Sequence, residues 1–100
     1  MRLLLVLCLV SPWVWAAPQS KPTTRCGWFS NPTPGNVWLT DAKGEWVVGL
    51  QGGHQAEFES NAWPNFGSKQ WVKTNGNYGY GCACLKVLAE DSSKTILRIV

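Results

Sequence analysis

Three sets of residues in this 100-residue chain have types and spacings that can do chemistry: four cysteines, a single histidine and seven tryptophans. Cys26, Cys82 and Cys84 with His54 offer the donors of a three-thiolate, one-histidine tetrahedral site, and Cys82-x-Cys84 alone offers a thiolate pair to Cu(I). The pair is not spaced as a two-residue knuckle and His54 is far away in sequence. No metal site is assigned, and Zn or Cu binding through Cys82 and Cys84 stands only as an alternative. A thiol nucleophile needs His54 beside an exposed, low-pKa Cys82 or Cys84, with a third group orienting it. Gly52-Gly53-His54-Gln55 reads instead as a flexible turn with a solvated histidine. A glycosidase needs two carboxylates about 5 to 9 Å apart across a cleft. Glu57 and Glu59 share one face of an extended segment, and Asp41 and Glu45 flank a turn, so both pairs read as solvated. No catalytic residue and no cofactor is assigned, and the domain is read as non-enzymatic.

What the cysteines mean depends on the compartment. Met1-Arg2, an apolar run over residues 3–10, Pro12 and the small-residue pattern Val14-Trp15-Ala16 have the order of a secretory signal peptide, cut near Ala16. The run is too short for a bilayer-spanning helix, so no stable membrane insertion is expected after cleavage. Cys8 belongs to the apolar part of this leader, because Leu5-Val6-Leu7 lacks the small residue a lipidated cysteine requires. Loss of Arg2 leaves eight Lys and Arg against six Asp and Glu, a net charge of +2. These charges are scattered, which argues against a nucleic-acid partner.

In an oxidising compartment the three remaining cysteines read as a disulfide framework. Cys82 and Cys84 share one face of a strand, where a mutual bridge would strain the backbone, so Cys26 is expected to pair with one of them. Closing that loop contributes about 4 kcal/mol in the chain-entropy picture. The third cysteine is a spare thiol, an intermolecular bridge, a metal ligand, or a partner for a cysteine beyond residue 100. The chain does stop inside an apolar stretch, Ile96-Leu97-Arg98-Ile99-Val100.

The aromatics carry the binding hypothesis. Trp28, Trp38, Trp46, Trp63 and Trp71 are many for about 84 residues, and large rings fill a small core efficiently. Trp and Tyr also dominate binding hot spots. Trp63-Pro64-Asn65 and Asn75-Gly76-Asn77-Tyr78-Gly79-Tyr80 lie in turn-rich segments, so they are expected to be more exposed than Trp38 or Trp46. The candidate binding residues are Trp28, Asn36, Trp63, Asn65, Asn75, Asn77, Tyr78 and Tyr80, presented on an aromatic, Asn-rich loop face.

The elements that must position them are strands. Residues 17–24 are a flexible leader, and residues 25–100 a single domain. Asn31-Pro32-Thr33-Pro34-Gly35-Asn36 is an extended or turning loop. Residues 37–40 and 45–50 read as strands around Asp41-Ala42-Lys43-Gly44, with Gly44 in the left-handed position. With Asp41 opposite Glu45, Trp38 lies near Val48 and Thr40 near Trp46. Both tryptophans then share one face, with Val37, Leu39 and Val47 on the other. Residues 56–66 are ambiguous, residues 70–73 a short strand, and Asn75-Gly76-Asn77 a turn. Residues 78–88 are the best strand, with Gly79, Gly81 and Ala83 leaving room for large side chains, expected to be tryptophans. Residues 95–100 form a last strand. The fold class is all-β, a small antiparallel sandwich or partly open barrel of about five or six short strands stapled by a disulfide.

Arg25-Cys26-Gly27-Trp28-Phe29, Asn31-Pro32-Thr33-Pro34-Gly35-Asn36, Trp38-Leu39, Gly44-Glu45-Trp46, Gln51-Gly52-Gly53 and Thr74-Asn75-Gly76-Asn77-Tyr78-Gly79-Tyr80-Gly81-Cys82-Ala83-Cys84-Leu85 occur in an order that resembles a family of small secreted proteins of Gram-negative bacteria. The resemblance runs over residues 25–100. That family is known by sequence rather than by activity, so it implies an envelope location, periplasmic or secreted, and no catalytic assignment. The resulting expectation is a periplasmic domain that binds an envelope protein in the manner of an inhibitor or immunity factor. A glycan- or peptidoglycan-binding module is the alternative.

Overall fold

The computed structural model describes residues 21–100, so the expected signal peptide at 1–16 and residues 17–20 of the expected leader lie outside the described residues. The described chain is all strand: β1 (Thr23–Thr33), β2 (Asn36–Asp41), β3 (Gly44–Gly49), β4 (Glu57–Phe58), β5 (Trp71–Asn75), β6 (Tyr78–Glu90) and β7 (Thr95–Ile99). They form one sheet in the order β4-β7-β3-β2-β1-β6-β5, and β7 also pairs with β6. The pairings therefore run round a ring of β1, β2, β3, β7 and β6. The link from β3 to β7 is a single parallel bridge, Val47 to Thr95, so the ring is not a fully laddered barrel. Two pairings depart from the antiparallel expectation, β3 with β7 and β4 with β7, both parallel.

Alternation along the strands fills the ring. Phe29, Val37, Leu39, Trp46, Val48, Leu85, Val87, Ile96 and Ile99 form the buried core. On β1, β2, β3 and β6 these are the inward positions of period two, while on β7 a shift in register against β6 brings both Ile96 and Ile99 inside. The anticipated leader is shorter than expected. Thr23 and Thr24 already pair with Val87 and Lys86 of β6, because β6 is long enough to offer them a ladder. Pro32 falls at the irregularity in the β1–β2 pairing between Ser30 and Thr33, where a missing N–H costs no ladder bond.

The β2–β3 hairpin corrects the expected register. Asp41 pairs with Gly44 and Thr40 with Glu45, so Leu39 faces Trp46 and Trp38 faces Val47. A slip of one residue moves every side chain to the other face. Trp46 is consequently buried beside Leu39, while Trp38 stays half-buried on the outer face with Val47. The cause is the Asp41 carboxylate. It accepts hydrogen bonds from the Lys43 backbone N–H (2.9 Å) and the Trp46 indole Nε1 (3.0 Å). Its other oxygen pairs with Arg25 Nη1 at 3.1 Å. These bonds close the turn over Ala42 and Lys43 alone, and Gly44 takes the positive φ of 131° that this requires. The Arg25 guanidinium then lies over the Trp46 ring, its Cζ 3.6 Å from the centroid, and a second arm reaches Asp91 at 3.5 Å. The base of the ring is thus plugged by a cation on an indole, held by carboxylates.

The glycines of β6 make room for something other than tryptophan. A Cβ on Gly81 would fall 2.9 Å from the Phe66 ring and 2.6 Å from the Gln70 carbonyl. A Cβ on Gly79 would collide with the Val72 carbonyl, and on neighbouring β1 one on Gly27 would collide with the Thr40 carbonyl. These positions are reserved for a phenylalanine and for neighbouring backbone.

Cys26 and Cys84 are directly opposed on β1 and β6 and are joined by a disulfide across a sequence separation of 58. Cys82 is a free, exposed thiol. Replacing Cys26 and Cys84 together by serine should lower unfolding free energy by about 4 kcal/mol in chemical denaturation, whereas Cys82→Ser should leave the midpoint unchanged. Asp41 gives a pH signature. Burial raises its pKa, but the bonds from Trp46, Lys43 and Arg25 and the Arg25 charge outweigh this and hold the carboxyl below its ordinary 3.8. Its stabilisation is complete above that ordinary value and drains away as pH falls through the lower folded value. Asp41→Asn should cost about 2 kcal/mol at neutral pH, and denaturation curves of the two proteins should converge as pH drops below 3.8.

Candidate functional site

Period two in β1 and β6 decides which side chains meet solvent. Cys26, Trp28 and Ser30 alternate outward on β1, as do Tyr80, Cys82 and Cys84 on β6, with Trp28 opposite Cys82 and Ser30 opposite Tyr80. Ser30 also faces Trp38, and Val72 of β5 faces Tyr80. One outward row therefore crosses five strands as Val47, Trp38, Ser30, Tyr80 and Val72, with Trp28 and Cys82 in the adjacent row. At roughly 4.8 Å per strand the row is about 19 Å wide. Trp28 is 54% exposed, Val72 48% and Tyr80 38%. Trp28 and Tyr80 pack edge to face, their centroids 5.7 Å apart.

Two other places collect aromatic and polar groups. At the turn end of the ring a cavity of about 300 Å³ is lined by residues that include Asn31, Gln55, Phe58, Trp63 and Tyr78. Trp63 sits edge-on to core Phe29 at 5.2 Å and against the exposed Phe58 at 5.5 Å. Gln55 is committed there, donating to the Gly35 and Leu50 carbonyls. Beside β5 a groove of about 520 Å³ is lined by Phe66, Gly67, Ser68, Trp71, Lys73 and Asn77.

The expected binding residues are thus divided rather than gathered on one loop face. Trp28 and Tyr80 share the outer sheet face, Trp63 and Tyr78 line the end cavity, and Asn77 lines the groove. Asn36 is a turn residue, donating to Thr33 Oγ1 (2.7 Å) and accepting from the Gln51 N–H (2.9 Å). Asn75 is exposed on β5, where it pairs with Tyr78, and Asn65 is exposed in the 59–70 connection. Tyr78 and Tyr80 belong to a strand, so their exposure follows from parity and not from a loop. Trp38, Val72 and Phe66 were not singled out beforehand. The β5–β6 register would have found Val72, and the glycine at position 81 pointed to Phe66.

The chemistry-bearing residues are mostly engaged in structure. His54 is half-buried, not solvated, because its Nε2 lies 2.8 Å from the Ile96 carbonyl. Glu57 and Glu59 both pair with Arg98, at 3.1 and 3.6 Å, fastening β4 to β7. The three-thiolate alternative is overturned, since Cys26 and Cys84 are bonded to each other. Among the described residues no group of three or more His, Cys, Asp and Glu is arranged to hold a metal ion.

A family model described as protein of unknown function (DUF4087) matches residues 20–100, a segment that contains the residues 25–100 of the motif resemblance. No curated protein matches the chain, and no solved structure matches it.

Adjacent residues of β1 should separate surface from core. Trp28→Ala should change unfolding free energy by less than about 1 kcal/mol, and Phe29→Ala should cost about 3 to 5 kcal/mol. Parallel denaturant titrations of the two variants measure this directly.

Proposed function

We propose that this chain, which belongs to the family described as protein of unknown function (DUF4087), is a non-enzymatic binding domain of the bacterial envelope that docks a protein partner through the outer sheet face centred on Trp28. The observation that carries the reading is a tryptophan 54% exposed in mid-strand, continuous with Tyr80, Val72 and Trp38. An apolar patch of this breadth on a small domain marks an interaction surface. Trp and Tyr are the residues that anchor protein interfaces.

The geometry favours a protein over a sugar at this face. Trp28 and Tyr80 stand at 75° to one another, so no single flat face spans both rings. Their strand neighbours Cys82, Ser30, Thr40 and Val72 offer few directional hydrogen bonds. An interdigitating apolar surface fits such edges better. The order of the amino-terminal residues and the Cys26–Cys84 bridge support an exported, oxidised setting, and the periplasm is the compartment proposed.

Immobilised protein should retain a defined partner from periplasmic extract, and the double variant Trp28→Ser with Val72→Ser should lose that partner while keeping the wild-type melting temperature. Equal retention by the variant, or retention only by purified cell-wall sacculi, would reject the sheet face as the docking surface.

A further inference from the structure

The groove beside β5 has a different chemistry from the sheet face, and its contents point to a ligand class. Trp71 is an inward residue of β5, opposite Gly81. Because Gly81 has no side chain, the Phe66 ring settles over it and meets Trp71, their centroids 4.7 Å apart and their planes inclined by 41°. The indole is fixed in turn by its Nε1, which donates to the Asn77 carbonyl at 3.0 Å. The outcome is a pair of preset aromatic faces rather than mobile loop rings. Ser68, Asn77 and Lys73 line the same groove and bring to it a hydroxyl, a carboxamide and an ammonium. Among the described residues none of these three side-chain groups makes a hydrogen bond or ion pair.

Charge then narrows the choice. The acids are largely spoken for: Asp41 and Asp91 by Arg25, Glu57 and Glu59 by Arg98. The groove lining contains no acid at all, so Lys73 presents an uncompensated positive charge beside an aromatic wall. An aromatic wall takes the apolar face of a pyranose ring, a hydroxyl and a carboxamide take its hydroxyls, and an ammonium takes a carboxylate. The volume of about 520 Å³ lies in the range of small-ligand sites.

We infer that this groove is a binding site for a carboxylated hexopyranose, whose ring packs against the Trp71–Phe66 aromatic pair and whose carboxylate pairs with Lys73. The site lies on the face of β5 opposite to Val72, so it stands independently of the protein-docking reading, and either can fail alone. The shared chemistry is a six-membered sugar with one carboxylate. Uronate residues of polysaccharides and N-acetylmuramate of the cell wall both supply it.

The test follows the indole N–H resonance of Trp71 in a two-dimensional NMR spectrum of the folded protein, assigned by its disappearance in Trp71→Phe. Glucuronate and N-acetylmuramate are titrated separately, against methyl glucoside as the uncharged ring and acetate as the charge without a ring. A saturable shift with at least one carboxylated sugar is expected, about tenfold tighter than with methyl glucoside. In Lys73→Gln that preference should fall to less than about twofold. Response to glucuronate alone assigns the site to uronates, and response to N-acetylmuramate alone assigns it to wall-derived sugar. No shift with either sugar, an equal shift with acetate, or a preference that survives Lys73→Gln overturns the inference. Because Lys73 is exposed on an edge strand, its replacement leaves the fold intact, and the dispersion of the same spectrum verifies that.

Discussion

The Asp41 carboxylate holds the arrangement on which the rest of the molecule depends. In a domain this small, one misplaced tryptophan is a large fraction of the core. Trp46 is the largest fully buried side chain, and its indole N–H must find an acceptor or forfeit the desolvation energy of a buried donor. Asp41 provides that acceptor, closes the hairpin through Lys43 and neutralises Arg25 in the same act. The guanidinium can then cover the exposed rim of the indole. The register of β2 against β3 follows, and with it the assignment of Trp46 to the inside and Trp38 to the outside. A carboxylate thus governs a hydrophobic core, because the core residue with the most area to bury carries a polar atom.

The second constraint is the pairing of β1 with β6. Their ladder runs from Thr23 to Asn31 and is the longest in the sheet. The disulfide ties it at Cys26 and Cys84. Both cysteines face outward, so the bridge leaves the core volume to Phe29, Leu85 and Val87. It also fixes the parity by which Trp28 and Tyr80 emerge on the outer surface. Cross-linking therefore preserves a surface as much as an interior: with this pair aligned, the outward row from Val47 to Val72 has no freedom to slip.

Much of the architecture was readable from residue order. The strand content, the turn at Asn75-Gly76-Asn77, the long strand from Tyr78 and a bridge from Cys26 all followed from period, turn chemistry and cysteine spacing. What escaped was parity and company. Whether Asp41 faces Glu45 or Gly44 differs by a single residue, and turn statistics do not contain the indole and guanidinium that decide it. His54 looked like a loop histidine because Ile96, which supplies its hydrogen-bond partner, is 42 positions away. The glycines of β6 announced close contact, but not that the contact would be Phe66. The candidate binding residues were chosen for exposure, and Trp28, Trp63 and Tyr80 are exposed. The dispersal of the candidate set over the sheet face, the end cavity and the groove is a property of the sheet's closure, which no local pattern encodes.

The two faces of β5 show how so short a chain can carry distinct surfaces. β5 pairs with β6 alone, so it extends past the ring, and only Trp71 on its inner face packs against the core. Val72 turns toward the apolar row on one side. Trp71 and Lys73 turn toward the groove on the other. An edge strand with a flat apolar surface invites unwanted pairing, and a lysine is a common safeguard against it. Here the same lysine stands beside two aromatic rings with no acid to quench it. A charge that protects an edge in the free protein is also a charge held ready for an anion. Its cost in desolvation is small at so open a site, which is why edge protection and anion recognition can reside in one side chain.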